Sequence, residues 1–155
     1  MKSALYKKCT ASIRNHRSKN YTKYNDIIIR YKKINYREEY NKSHKMLKIF
    51  KATNDVDSMK DELAKLWSYY LIIEEIYVQK GKNDPSLKAT KEYKDAIIAK
   101  AFILGDIKEY LTYVENNDKK FNFVKYYEES PYNKDVIIIT QNDIKTISKI
   151  IKQFL

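Results

Sequence analysis

The sequence contains very little glycine, proline or cysteine. Its 155 residues include two glycines, two prolines and one cysteine, Cys9. Glycine and proline typically make up about 7% and 5% of a protein. Because β-sandwiches and barrels need many turns rich in these two residues, their scarcity favours few, long helices. A single cysteine excludes an internal disulfide and gives no support for a secreted scaffold held together by disulfides.

Long apolar stretches are also missing. No run of apolar residues approaches the roughly 18 that predict a transmembrane helix. Residues 1–20 lack the apolar stretch of a secretory signal, which favours an intracellular protein. They are basic, contain serine and precede the first acidic residue, Asp26, a composition that mitochondrial presequences share. An ordinary basic helix that stays on the protein fits the same residues equally well.

Positive charge is concentrated in the first third of the chain. Residues 1–52 hold 15 Lys and Arg against three acidic residues, a balance of +12, whereas residues 53–155 have a balance of −1. The length corresponds to one domain, 1–155, with a strongly basic helical segment and a near-neutral helical body. This asymmetry indicates where a charged partner binds.

Hydrophobic periodicity predicts an all-α bundle of five or six helices. Leu66, Trp67, Tyr70 and Leu71 are expected at the centre of its core. Residues 119–129 fit a short helix or an extended segment, residues 136–139 form the only strand-like run, and Thr140 with Asp143 resembles a capping box. The predicted helices span residues 3–17, 20–50, 56–80 and 87–104, the last with or without a kinked continuation to 115, and a final helix follows Asp143.

The helix predicted over residues 20–50 is amphipathic. At 100° per residue, Tyr21, Tyr24, Ile28 and Tyr31 share one side, which we expect to face inward. A cationic stripe lies on another side, and we predict that it contacts a partner, although most charged helix faces are simply solvated. The stripe consists of Lys19, Lys23, Arg30, Lys33 and Arg37.

No constellation of residues indicates catalysis. The two glycines, Gly81 and Gly105, are too far apart for a phosphate-binding loop, and no metal-ligand spacing is present. Cys9 and His16 lie two turns apart on the predicted first helix, about 10 Å, which is too far for a nucleophile–base hydrogen bond. Adjacent glutamates point about 100° apart on a helix and form no acid–base pair. We therefore predict a protein that is not an enzyme and that has no cofactor or metal.

The tripeptide Leu5-Tyr6-Lys7 resembles the start of the LYR-motif proteins, small basic helical proteins of mitochondria. In this resemblance Lys7 stands for the arginine of the motif, Arg14 and Arg17 supply the further basic residues, and Tyr36 or Tyr40 takes the place of a conserved phenylalanine. It covers about residues 3–80. It implies a mitochondrial accessory or assembly subunit that binds the acidic acyl carrier protein, with Tyr6, Lys7, Arg14 and Arg17 among the contact residues.

These observations together predict a non-catalytic basic helical subunit that docks on an acidic protein partner within a larger assembly. One alternative is a nucleic-acid-binding protein that contacts the phosphate backbone through the same basic helices, as in a ribonucleoprotein. Lys outnumbers Arg 27 to 4, and arginine is the residue that supplies bidentate base recognition. This composition favours contact with the phosphate backbone over recognition of bases. A second alternative is a viral or mobile-element protein that binds a host protein.

Overall fold

The computed structural model describes residues 23–155, and every regular element in this part of the chain is a helix. The all-α class is therefore confirmed for these residues. They form eight helices rather than the predicted five or six, because the second half of the chain folds into several short ones. The helices are α1 (residues 23–32), α2 (Tyr36–Ala52), α3 (Val56–Ile73), α4 (Pro85–Lys88), α5 (Lys91–Asn117), α6 (Phe123–Glu129), α7 (Asn133–Thr140) and α8 (Ile144–Phe154).

The chain divides after Lys33 into two units. In the described part of the first unit, α1 buries Ile27 and Ile28, while Tyr24 and Tyr31 are half-buried. The second unit, residues 34–155, contains α2 to α8. The predicted helix over residues 3–17 lies outside the described residues.

The single helix predicted over residues 20–50 is wrong, because the chain leaves the helical conformation at residues 33–35. Asn35 has an extended backbone (φ −83°, ψ 95°) and caps α2, its side chain accepting a hydrogen bond from the backbone N–H of Glu38 at 3.2 Å. An N-cap asparagine with glutamate three residues later is a strong helix-start signal. The 100° spacing that placed Arg37 on the same face as Lys23 and Arg30 therefore does not apply across this break.

Helix α3 is the centre of the second unit. Its residues Leu66 and Trp67 are fully buried and Tyr70 and Leu71 nearly so, which confirms the predicted core. Burial extends around the C-terminal half of the helix, since Ala64, Ser68, Ile72 and Ile73 are buried as well, whereas Asp57 and Asp61 near its start are exposed. A helical segment that is mostly apolar on all sides, as α3 is after Lys65, belongs in the interior. A π-helical segment, Glu74–Gln79, continues α3.

Helices α2, α3 and α5 form a three-helix bundle. The first residue of α2, Tyr36, packs edge-on against Tyr77 beyond the end of α3, with ring centroids 6.2 Å apart. Lys60 near the start of α3 hydrogen-bonds Asp118 just past the end of α5 at 2.9 Å. Helix α3 therefore runs antiparallel to both neighbours, and α2 and α5 run parallel to each other.

The short helices cover another side of α3. Ser68 of α3 hydrogen-bonds the Tyr127 hydroxyl of α6 at 2.8 Å, and Trp67 lies against Phe154 of α8, with ring centroids 6.3 Å apart. The strand-like run 136–139 is helical and belongs to α7, where Val136 and Ile139 are buried. The predicted capping box is also wrong, because Thr140 ends α7 and Asp143 alone caps α8, accepting from the Thr146 N–H at 2.8 Å.

Candidate docking surface

Helix α2 carries all five Lys and Arg residues of positions 34–52, which are Arg37, Lys42, Lys45, Lys48 and Lys51. Its inner side consists of Tyr36, Tyr40, Ser43 and Leu47, which recur at helical spacing and are buried. Tyr36 lies between Tyr69 and Tyr77 in two edge-on contacts, with centroid distances of 5.7 and 6.2 Å. These aromatic contacts fix the rotation of α2 about its axis and so determine which residues face solvent.

Three contacts spaced seven residues apart on α2 join it to α5. Arg37 lies 3.7 Å from Asp95, His44 lies 2.7 Å from Asp106, and Lys51 lies over the ring of Tyr113, 5.4 Å from its centroid. Seven residues are close to two helical turns, so the three side chains lie on one side of α2. Two of the helix's cations are thus engaged within the molecule.

The middle contact is a cluster of three polar side chains. The His44 Nδ1 atom lies within hydrogen-bond distance of both the Asp106 carboxylate and the Tyr40 hydroxyl, the latter at 3.3 Å. Burial raises the pKa of Tyr40, and the charge of Asp106 together with its hydrogen bond to the phenol raises it further. The phenol therefore stays protonated and is a poor nucleophile. The cluster connects α2 to α5.

The outward side of α2 combines apolar and cationic residues. Lys42, Lys45, Met46 and Ile49 follow one another at steps of three, one and three residues, so they form one stripe on the helix. Met46 is 39% exposed and Ile49 52% exposed. We call these four residues, with Lys48 at the edge of the stripe one turn beyond Lys45, the α2 face. The α2 face was not predicted, although its spacing is present in the sequence, because lysine is abundant throughout the chain.

The lysines of the α2 face are available for a partner. Lys42 lies 3.5 Å from Glu39 in an exposed pair, which contributes little in solvent. Lys45 and Lys48 are exposed and form no salt bridge with any residue of 23–155. Exposed lysines beside exposed apolar side chains are typical of a surface that contacts another macromolecule.

Four of the nine residues predicted to contact a partner lie among the described residues. Tyr6, Lys7, Arg14, Arg17 and Lys19 lie outside the described residues. Of the others, Lys23 and Arg30 lie on α1, Lys33 lies in the turn after it, and Arg37 lies on α2; all four are exposed. Arg30 stacks on Tyr31, 5.1 Å from the ring centroid, and Arg37 is paired with Asp95. Their role in binding stays a prediction.

A cavity of about 330 Å³ lies between α5, α6 and α8, lined mainly by apolar residues that include Leu111, Phe123 and Ile151. Its volume is near the lower end of the range for small-molecule sites. Within residues 23–155, no group of three His, Cys, Asp or Glu side chains could hold a metal ion. None of the helices described combines the length and the apolar character that a membrane span requires.

No protein-family model, curated protein or solved structure matches this chain. The resemblance to the LYR-motif proteins therefore rests on the tripeptide Leu5-Tyr6-Lys7 alone and stays a prediction. The geometry of the described residues is the remaining guide to function.

Proposed function

We propose that this protein is a non-catalytic helical subunit that docks through the α2 face on an acidic protein partner within a larger assembly. The observation that carries the proposal is the exposure of Met46 and Ile49 on the same stripe as Lys45. Apolar side chains at the centre of a contact supply most of the binding free energy, and charges around them steer the encounter and select the partner.

The same stripe favours a protein partner over nucleic acid. A phosphate backbone is bound by charge, and apolar side chains as exposed as Ile49 would gain little from it. A protein partner whose surface presents both carboxylates and an apolar strip would pair with Lys42 and Lys45 and cover Met46 and Ile49. An amphipathic acidic helix has this chemistry.

The LYR-motif resemblance implies further contact residues before Lys23. In the LYR-motif interpretation, Tyr6, Lys7, Arg14 and Arg17 contact the same partner, which would then be an acyl carrier protein in mitochondria. That protein is acidic and helical, so its chemistry agrees with the partner we infer from the α2 face. We therefore propose it as the first candidate to test.

A charge-reversal experiment tests the proposal. Lys45→Glu combined with Lys48→Glu changes the charge of the α2 face by four units, and Lys149→Glu combined with Lys152→Glu makes the same change on α8. Both pairs are exposed and three residues apart. The affinity of purified acyl carrier protein, and the set of proteins recovered with the native chain after nuclease treatment, would be measured for wild type and both variants.

We expect the α2 variant to lose its partner while the α8 variant keeps it. Met46→Ala combined with Ile49→Ala should weaken binding by about tenfold or more, since each removes a large part of an exposed apolar side chain. Equal effects of the two charge reversals would contradict a specific site on α2. Recovery that disappears with nuclease and falls steeply with salt would instead support the nucleic-acid alternative.

A further inference from the structure

The outward side of α5 carries a second apolar patch. Ile98, Ala101, Phe102 and Gly105 follow one another at steps of three, one and three residues, and all are exposed. Ile98 is 37% exposed and Phe102 is 54% exposed. The core side of α5 is a different set of residues, among them Ala99, Ile103 and Ile107. We call the four exposed residues the α5 patch.

Phe102 is held in place by a neighbouring ring. It stacks on Tyr40 of α2, with ring centroids 5.5 Å apart and an interplanar angle of 21°. Because one face of Phe102 is covered in this way, the rest of the ring stays directed to solvent instead of folding onto its own helix. Three residues further along, a Cβ atom added to Gly105 would meet no atom within 4 Å. The α5 patch therefore offers a fixed aromatic projection beside an open notch.

Charged residues flank the patch in a self-complementary order. Lys94 lies four residues before Ile98, and Glu109 lies four residues after Gly105. Both are exposed, and neither forms a salt bridge with any residue of 23–155. Inside them, Asp95 is already paired with Arg37 of the same chain, and Lys108 is exposed. The α5 patch thus has a cation, Lys94, beyond its first residue and an anion, Glu109, beyond its last residue.

We propose that the α5 patch is an interface with a second copy of this chain, in which the two α5 helices cross antiparallel about a twofold axis. For the α5 patch of one chain to cover the α5 patch of the other, the twofold axis must pass near the midpoint of the patch, between Ala101 and Phe102. Ile98 of one chain then meets the Gly105 notch of the other. Antiparallel packing brings Lys94 opposite the partner's Glu109, and twofold symmetry forms this pair twice.

The charges favour the antiparallel orientation and limit the affinity of the dimer. Parallel packing would place Lys94 against Lys94 and Glu109 against Glu109, which is repulsive. One pair of helices buries less surface than a standard protein–protein interface, and the net charge of +11 on each chain opposes association. The dimer is therefore weak, and its population depends on protein concentration.

A charge-swap experiment on the full chain tests the proposal, with sedimentation equilibrium over a range of concentrations as the measurement. Lys94→Glu or Glu109→Lys alone places like charges opposite each other and should weaken dimerisation by about tenfold or more. The double variant restores opposite charges in exchanged positions and should recover most of the dimer. Since these residues lie 15 positions apart on one helix, about 22 Å, no contact within one chain can explain the rescue.

Disulfide trapping tests the position of the twofold axis. In a background with Cys9→Ser, Ala101→Cys places one thiol of each chain near the axis. Oxidised glutathione would take two electrons from the two thiols, whose protons pass to the released glutathione, and a disulfide would join the chains. Ala89→Cys, exposed beyond the end of the patch, is the control. We expect rapid trapping at position 101 only.

Three outcomes would overturn the proposal. The first is a wild-type chain that remains monomeric at every concentration measured. The second is a double charge-swap variant that associates no better than the single variants. The third is equal trapping at positions 89 and 101. A failure here leaves the α2 face untouched, because the two surfaces share no residue.

Discussion

The Nδ1 atom of His44 lies 2.7 Å from the Oδ2 atom of Asp106, although 62 residues separate the two along the chain. A carboxylate only accepts hydrogen bonds, so the Nδ1 atom carries the proton and donates it. The Asp106 side chain is 9% exposed, and it also accepts a hydrogen bond from the Tyr40 phenol. This buried carboxylate therefore holds α2 and α5 together at the middle of their contact.

Asp106→Asn should lower the free energy of unfolding by about 1–3 kcal/mol, since hydrogen bonds to a charged group are lost or weakened in a buried position. Urea denaturation followed by circular dichroism measures this. Glu129→Gln, which neutralises an exposed carboxylate, is the control, and we expect it to change stability by less than about 0.5 kcal/mol. Equal effects of the two substitutions would show that Asp106 has no special role in holding α2 and α5 together.

Ser68 attaches two of the short helices to α3. Its hydroxyl donates to the Tyr132 carbonyl at 2.7 Å and accepts from the Tyr127 hydroxyl at 2.8 Å. Ser68→Ala leaves both partners without these hydrogen bonds and should lower the free energy of unfolding by about 1–3 kcal/mol. Tyr127→Phe removes one of the same bonds, so the double variant should be less destabilised than the sum of the two single variants.

Ser43→Ala is the matched control for Ser68→Ala. Ser43 is as deeply buried as Ser68, but its hydroxyl has no hydrogen-bond partner within residues 23–155. Removing a buried hydroxyl without a partner should be neutral or stabilising. The free energies of unfolding of the two alanine variants, measured by thermal and urea denaturation, should therefore change in different directions or by clearly different amounts. A Ser43→Ala variant as unstable as Ser68→Ala would contradict this account of both residues.

The pair formed by Lys60 and Asp118 predicts a dependence of stability on pH. The hydrogen bond from Lys60 holds the pKa of Asp118 below its ordinary value of 3.8. The bond to Asp118 likewise raises the pKa of Lys60 above 10.5, although burial opposes this. A lowered carboxyl pKa contributes stability that is present above the unfolded pKa and lost as the pH falls through the folded one. A raised lysine pKa contributes stability that is lost as the pH rises through the folded pKa.

Asp118→Asn should therefore be less stable than wild type throughout the range between pH 3.8 and pH 10.5. As the pH falls below 3.8, Asp118 takes up a proton in wild type as well, and the difference between the two proteins should shrink. Urea denaturation at a series of pH values measures this difference. A difference that is unchanged on acidification would show that the charge of Asp118 contributes nothing.

The core was predictable because its signals are local. The residues of α3 recur at steps of three and four, and Gly81 marks the end of the continuous helix. The run 136–139 was left undecided because β-branched residues favour strands. With no partner strand among the described residues, α7 instead buries Val136 and Ile139, which lie one turn apart. The break before α2 carried its own signal in Asn35 and Glu38, which the long cationic stripe obscured.

The candidate surfaces were less predictable than the core. The contacts of Arg37 and His44 with Asp95 and Asp106 join residues about 60 positions apart and have no local signature. Without them, cations that bind within the molecule could not be distinguished from those that face solvent. The α5 patch was hidden for a related reason. Its apolar residues adjoin those of the core side, and only the packed structure shows which of them remain exposed.

The two glycines predict opposite responses to the same substitution. Gly105 lies in the middle of α5 in open space, and neither glycine has a positive φ. Because glycine in a helix interior is less favourable than alanine, Gly105→Ala should raise the free energy of unfolding by about 0.5–1 kcal/mol. At Gly81 an added Cβ atom would lie 2.9 Å from the Cε2 atom of Tyr93, so the ring must move. Gly81→Ala should therefore raise the free energy of unfolding by less than Gly105→Ala does, or lower it. Urea denaturation at low protein concentration compares the variants without a contribution from association, and a larger gain at Gly81 would contradict the packing described around Tyr93.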